Sequence, residues 1–223
     1  MISTQQNGTD TVVAKFEPIK YYDYYKLSGV ELTTNNQKEI QDKQNIIEIQ
    51  FFKTIKSLED WNEIDSNYPE NYYLETDIDL SLATNQTNIT LNRLIGKDKI
   101  VDGEKTKYQI HNFNLENKSN KTGICILEKV VNGISNINFN NITITDTSTG
   151  GNSYINIIRY NYGDMSDMVF KDIKIDAKKK YYVAPIGVNY AQKVSNIDIK
   201  NIDIFAYENA SGFIAYAENG EGR

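Results

Sequence analysis

The side chains with most chemistry to offer are a few carboxylates, one imidazole, one thiol and a large set of phenols. Asp77 and Asp79 stand two residues apart in the alternating segment Tyr72–Leu80. On a strand they would share a face, an arrangement open to a glycosidase pair or a Ca²⁺ site. The plainer reading is the polar face of an alternating strand, or a capping role. A polysaccharide-active groove would require Asp77, Asp79, Asp164 and Asp176 to gather in space. His111 is the only histidine, so a two-histidine zinc site within this chain is impossible. A Ser-His-Asp triad would have to use His111, yet no Gly-x-Ser-x-Gly elbow exists to present the nucleophile. Aligned with the repeats described below, His111 falls where serine is usual, which reads as a surface or corner residue. Cys125 is the only cysteine, which excludes an intrachain disulfide. Its setting, Gly123-Ile124-Cys125-Ile126-Leu127, suits a small buried hydrophobe. No residue is therefore assigned as catalytic, cofactor-binding or metal-ligating.

The phenols are more suggestive. Of 16 tyrosines, Tyr154, Tyr160, Tyr162, Tyr181, Tyr182 and Tyr190 could line an outer face for glycan or protein contact, although tyrosine also simply favours strands. The net charge of −6 and pI near 5.0 argue against a nucleic-acid partner, because phosphate binding needs a basic footprint. The only basic run, Lys178-Lys179-Lys180, reads as a solvated loop. No apolar run approaches the ~20 residues of a membrane span. Met1 to Asp10 is polar and holds no signal-peptide core. Asn-x-Ser/Thr sequons such as Asn88-Ile89-Thr90 arise readily in a chain this rich in asparagine.

What must position these side chains is a repeat. Gly133–Ile144, Asp164–Ile175 and Lys193–Ile204 align without gaps at offsets of 31 and 29 residues. A weaker copy, Ile110–Asn117, lies 24 residues before the first. Apolar residues recur in each unit as two pairs, for example Ile197 with Ile199 and Ile202 with Ile204. At ~100° per residue a helix would scatter these onto opposite faces. On strands each pair points inward, and the odd step between the pairs fits a corner: strand, bend, strand. A more apolar strand follows each unit (Tyr154–Ile158, Tyr181–Ile186, Gly212–Tyr216). Two or three short strands per ~30 residues suit one coil of a parallel β-helix, each coil stacking ~4.8 Å above the last. In this alignment Asn117, Asn141, Asp172 and Asn201 form one set of corners, and Asn112, Asn136, Asp167 and Asn196 another. Asparagine tolerates the left-handed backbone of such corners, and stacked amides can bond between coils.

Ser57 and Asp60 form a capping signal for a short helix over Leu58–Ile64. Trp61 is its core anchor, with Leu58 and Ile64 on the same stripe. The predicted architecture is all-β: a right-handed parallel β-helix of about four ~30-residue coils over residues 51–223, closed at its N-terminal end by this helix. It reads as truncated at the C-terminus, where Glu218–Arg223 brings no closing element. Residues 1–50 read as the end of a preceding β-rich module followed by a polar linker.

The run Phe51–Ser81, with Leu94-Ile95-Gly96, Tyr108-Gln109-Ile110, Ile134-Ser135-Asn136-Ile137 and Ser211-Gly212-Phe213-Ile214-Ala215, resembles the N-terminal β-helix region of streptococcal-type immunoglobulin A1 proteases and related surface zinc metallopeptidases. Similar coils occur in bacterial adhesins as a glycine-leucine-glycine repeat. The resemblance covers residues 50–223. It implies an extracellular or cell-wall protein whose zinc belongs to a peptidase domain C-terminal to the β-helix. Because this chain carries no zinc motif, no catalytic residue and no cofactor is carried over. The implied role is non-catalytic recognition or spacing toward a host glycoprotein, such as an immunoglobulin, or a surface glycan. An adhesin repeat without an enzyme domain and a polysaccharide-active β-helix are the competing expectations.

Overall fold

The computed structural model describes residues 52–84, 86–118, 123–148, 154–177, 180–191 and 193–217. The expected module over residues 1–50 lies outside them. The described chain is a parallel β-helix of about four coils.

The five-residue spacing between asparagines builds the long side of each coil. The strands Ile78–Asp79, Glu104–Asn117, Ile137–Asp146, Met165–Ala177 and Val194–Ala206 stack in that order, each parallel to the next. Each of the last four bends where Asn or Asp takes positive φ: Asn112 at 57°, Asn141 at 53°, Asp172 at 53° and Asn201 at 53°. A second left-handed corner, at Asn136, Asp167 and Asn196, opens the upper three coils. The apolar pairs point inward and repeat from coil to coil. Ile110, Phe139 and Phe170 are fully buried in one column, and the two phenylalanine rings stack 5.4 Å apart. Phe113, Ile142 and Ile173 form the next column. In the uppermost coil the equivalent inward residues are less covered, with Ile199 40% exposed above a fully buried Phe170.

A lateral sheet closes the coil. Its strands are Ile89–Leu91, Leu127–Val130, Ile158–Asn161, Ile186–Asn189 and Ile214–Ala217, again in parallel. A third ladder runs from Phe52–Ile55 through Asn71–Leu74 and Arg93–Gly96 to Ile134–Ser135. The helix Leu58–Asn62 packs on the first coil. Ser57 Oγ accepts the Asp60 N–H at 3.2 Å, and Asp60 Oδ2 accepts the Lys56 N–H at 2.8 Å. Trp61 is fully buried, as expected for a core anchor, but the helix stops before Ile64.

Three sequence expectations need correction. First, the weak copy sits 29 residues before its neighbour, not 24: Asn112 lies beneath Asn141, and Asn117 beneath Asp146. The unit is nearly self-similar at five residues (Asn136-Ile137, Asn141-Ile142), so a five-residue slip matches almost as well. Asn117 is accordingly a buried side chain rather than a corner. His111 pairs with Asn140 and Asp79 rather than with the serines. Second, Tyr72–Leu80 is two strands, Asn71–Leu74 and Ile78–Asp79, in different ladders. Third, Lys180 is fully buried beside Asp146, so the basic run is not wholly solvated; Lys178 and Lys179 lie outside the described residues. An element with no counterpart in the repeat is an antiparallel hairpin joining Asp98–Val101 to Glu104–Lys107. Asp102 and Gly103 take φ 52° and 82°, the left-handed pair that a two-residue hairpin turn requires.

Candidate functional site: a tyrosine cluster on the lateral face

Register places the tyrosines. Tyr154 on the short strand Tyr154–Ile155 lies directly beneath Tyr182 on Tyr182–Val183. Residues in register on adjacent coils point the same way at ~4.8 Å spacing, so their rings must stack. The two centroids are 4.8 Å apart and the planes 13° from parallel. One strand further on, Asn161 pairs with Asn189, which brings the following residues Tyr162 and Tyr190 together at 4.8 Å and 12°. Tyr160 bridges the two stacks, 5.9 Å from Tyr154 and 6.4 Å from Tyr162. The five rings form one unbroken chain: Tyr182, Tyr154, Tyr160, Tyr162, Tyr190. The Lys129 ammonium lies 4.9 Å from the Tyr162 ring centroid and completes a cation–π contact. Four of the five rings are half-buried and Tyr162 is exposed.

Buried amides beneath the cluster hold its backbone. Asn156 Nδ2 donates to the Tyr182 carbonyl at 3.2 Å and the Ala184 carbonyl at 2.9 Å. Asn161 Nδ2 donates to Asn189 Oδ1 at 2.8 Å and to the Gly163 carbonyl at 2.7 Å. Gly163 is required by close packing, since a Cβ there would lie 2.1 Å from Asn132 and Gly133 backbone atoms. Sequence reading missed these supports; the only available signal was asparagine inside otherwise apolar strands. It included Tyr181 in the group, but that ring turns away and meets Tyr207 edge-on at 5.5 Å. Tyr181 lies just before the strand Tyr182–Val183, so the ladder that sets Tyr182 on Tyr154 does not include it.

Tyrosine at this density presents broad, stiff apolar area with hydroxyls able to donate and accept hydrogen bonds. The Tyr154 phenol is pushed above its ordinary range, first by burial and then by the neighbouring phenols Tyr160, Tyr182 and Tyr190. It therefore stays protonated, and able to donate, at neutral pH.

The other candidates serve the coil. Asp77 Oδ1 accepts the Gln109 N–H at 3.0 Å, and its Oδ2 meets the Lys99 ammonium at 2.5 Å. Asp79 takes Ser81 Oγ at 2.6 Å, the Ser81 N–H at 3.0 Å and Asn112 Nδ2 at 2.8 Å. Asp164 accepts the Lys193 N–H at 3.1 Å before the Met165–Ala177 strand, whereas Asp176 lies near that strand's far end. Asp77 and Asp79 thus stay neighbours on the first coil while Asp164 and Asp176 lie at opposite ends of the later strand Met165–Ala177, so the four do not gather. Cys125 is buried, with Sγ 3.2 Å from Glu128 Oε2 and 3.3 Å from Asn88 Oδ1. Burial pushes its thiol pKa far up, leaving little thiolate for nucleophilic attack. Among the described residues no group of three His, Cys, Asp or Glu side chains could hold a metal ion, and no helix is long and apolar enough to cross a membrane.

Comparison with protein-family models, curated proteins and solved structures yields no match.

Proposed function

We propose that this β-helix is a non-catalytic recognition scaffold of a secreted or cell-wall protein, and that Tyr154, Tyr160, Tyr162, Tyr182 and Tyr190 are its contact surface. The observation that carries this reading is the continuous five-tyrosine chain on the lateral face. Aromatic side chains held rigid by their own stacking lose little entropy on binding, which is why tyrosine dominates recognition surfaces. The partner class is a glycoprotein: apolar C–H faces of sugars meet the rings, and their hydroxyls meet the phenols and Lys129. The resemblance of residues 50–223 supports reading the scaffold as a neighbour of a zinc peptidase domain elsewhere in the parent protein, where it would position a host glycoprotein such as an immunoglobulin for cleavage.

The test is an assay of the purified chain on immobilised immunoglobulin A, native and enzymatically deglycosylated. Retention that falls on deglycosylation, with no cleavage in the presence of added zinc, is the expected result. Chelator-sensitive cleavage by this chain alone would overturn the non-catalytic reading. Equal retention of both forms would overturn the glycan part and leave a protein-contact surface.

A further inference from the structure

A buried cluster of polar side chains lies where the long strands end. Asn117 and Asp146 end the adjacent strands Glu104–Asn117 and Ile137–Asp146 in direct register. Lys180 comes three residues after the end of the next strand up, Met165–Ala177, its N–H bonded to the Ala177 carbonyl at 2.9 Å. Its side chain lies against Asp146, with Nζ 3.7 Å from Oδ1 and both side chains fully buried. Asn117, itself only 5% exposed, donates from Nδ2 to Asp146 Oδ2 at 2.8 Å. The remaining contacts fix the carboxylate: Ser148 donates to Oδ1 through its N–H at 2.9 Å and its Oγ at 2.7 Å. One aspartate thus touches a lysine on one oxygen and a carboxamide on the other.

An amine, a primary carboxamide and a carboxyl proton carrier out of water are the components of an amide exchange. We infer that Lys180 and Asn117 form an intramolecular isopeptide bond, with Asp146 relaying the protons. In the proposed exchange a proton passes from the Lys180 ammonium to Asp146, which frees the amine lone pair and creates a carboxylic acid. A half-turn of the Asn117 amide brings Oδ1 onto that acid, which polarises the carbonyl. Nζ attacks Cγ, the Cγ–Nδ2 bond breaks, and the nitrogen leaves with the protons that Asp146 carries. The balance is one carboxamide plus one alkylammonium giving one secondary amide plus one ammonium ion, with Asp146 returned as carboxylate. No oxidant or metal is needed. The bond would tie the coil holding Asn117 to Lys180 two coils above it, stapling three coils.

The experiment is intact-mass measurement of the full folded chain, followed by tryptic mapping. The expected result is a mass lower by one ammonia and a linked pair of peptides, Tyr108–Lys118 joined to Lys180–Lys193. Lys180→Arg keeps the buried cation but supplies a far poorer nucleophile, and it should restore the full mass with an unchanged circular dichroism spectrum. An unmodified mass in the folded wild-type chain would overturn the inference. So would loss of one water through a Lys180–Asp146 link, or loss of ammonia that persists in Lys180→Arg as a cyclic imide at Asn117.

Discussion

Asn112, Asn141, Asp172 and Asn201 each perform two tasks with one side chain: they accept a left-handed backbone and they bind the neighbouring coil. Asn141 Nδ2 donates to Asn112 Oδ1 at 2.7 Å, Asn112 Nδ2 to Asp79 Oδ2 at 2.8 Å, and Asn201 Nδ2 to Asp172 Oδ1 at 2.6 Å. Every donor in this ladder points toward the N-terminal coil, so aspartate can replace asparagine wherever only an acceptor is needed. Alanine at 141 loses the bond and also meets the ~1–2 kcal/mol cost of left-handed backbone for a residue with Cβ. Glycine loses only the bond, worth about 1 kcal/mol. Urea unfolding should therefore rank wild type above Asn141→Gly, and Asn141→Gly above Asn141→Ala; the reverse order of the two variants would refute the corner role. The aspartates of these ladders also set a pH response. Hydrogen bonds hold two carboxyls below their ordinary value of 3.8. For Asp79 the largest cause is Ser81, with Asn112 contributing, and for Asp167 it is Asn196. A carboxylate held low in the folded state binds its proton more readily when unfolded. Its stabilisation is thus complete above the ordinary value and is lost as pH falls through the lowered one. Thermal midpoints measured from pH 6 downward should stay level to about pH 4 and decline below it. Asp79→Asn and Asp167→Asn should flatten that decline.

At the scale of the element, stability follows the number of neighbouring coils. Phe170 is fully buried, with Phe139 below it and Ile199 above. Phe170→Ala should cost about 3–5 kcal/mol. Ile199 is 40% exposed, so Ile199→Ala should cost roughly 1–2 kcal/mol, less than the ~2–5 typical of a buried isoleucine. Chemical denaturation of the two variants checks this, and equal losses would mean that the coils do not stack as described. The sequence made the strand-bend-strand unit legible because its two apolar pairs fit no helix. The same near-repeat at five residues concealed the register of the first copy, which only pairing between coils decides. The Asp102-Gly103 hairpin carried a recognisable turn signal, yet it interrupts the repeat and falls outside its period. Lys180 was illegible for a different reason: a lysine run ordinarily marks solvent, and the buried partner Asp146 comes from another coil. The tyrosines were legible as a group, but their order and the departure of Tyr181 depend on strand direction and register.

For the whole molecule, the β-helix acts as a stiff frame that converts sequence spacing into a flat array. Tyrosines 28 residues apart become ring stacks 4.8 Å apart, and buried amides lock the backbone that carries them. A surface prepared in this way needs little rearrangement to bind, and its affinity should concentrate in a few rings rather than spread over the coil. Tyr160 bridges the stacks and Tyr162 is the most exposed member, so both can be removed without opening the apolar interior. The most direct test compares wild type with Tyr160→Ala/Tyr162→Ala for equilibrium binding to immobilised immunoglobulin A glycoprotein, with circular dichroism confirming that the fold is kept. A loss of at least tenfold in affinity, about 1.4 kcal/mol or more, is the predicted result. Undiminished binding by the folded double variant would contradict the assignment of this face as the recognition surface.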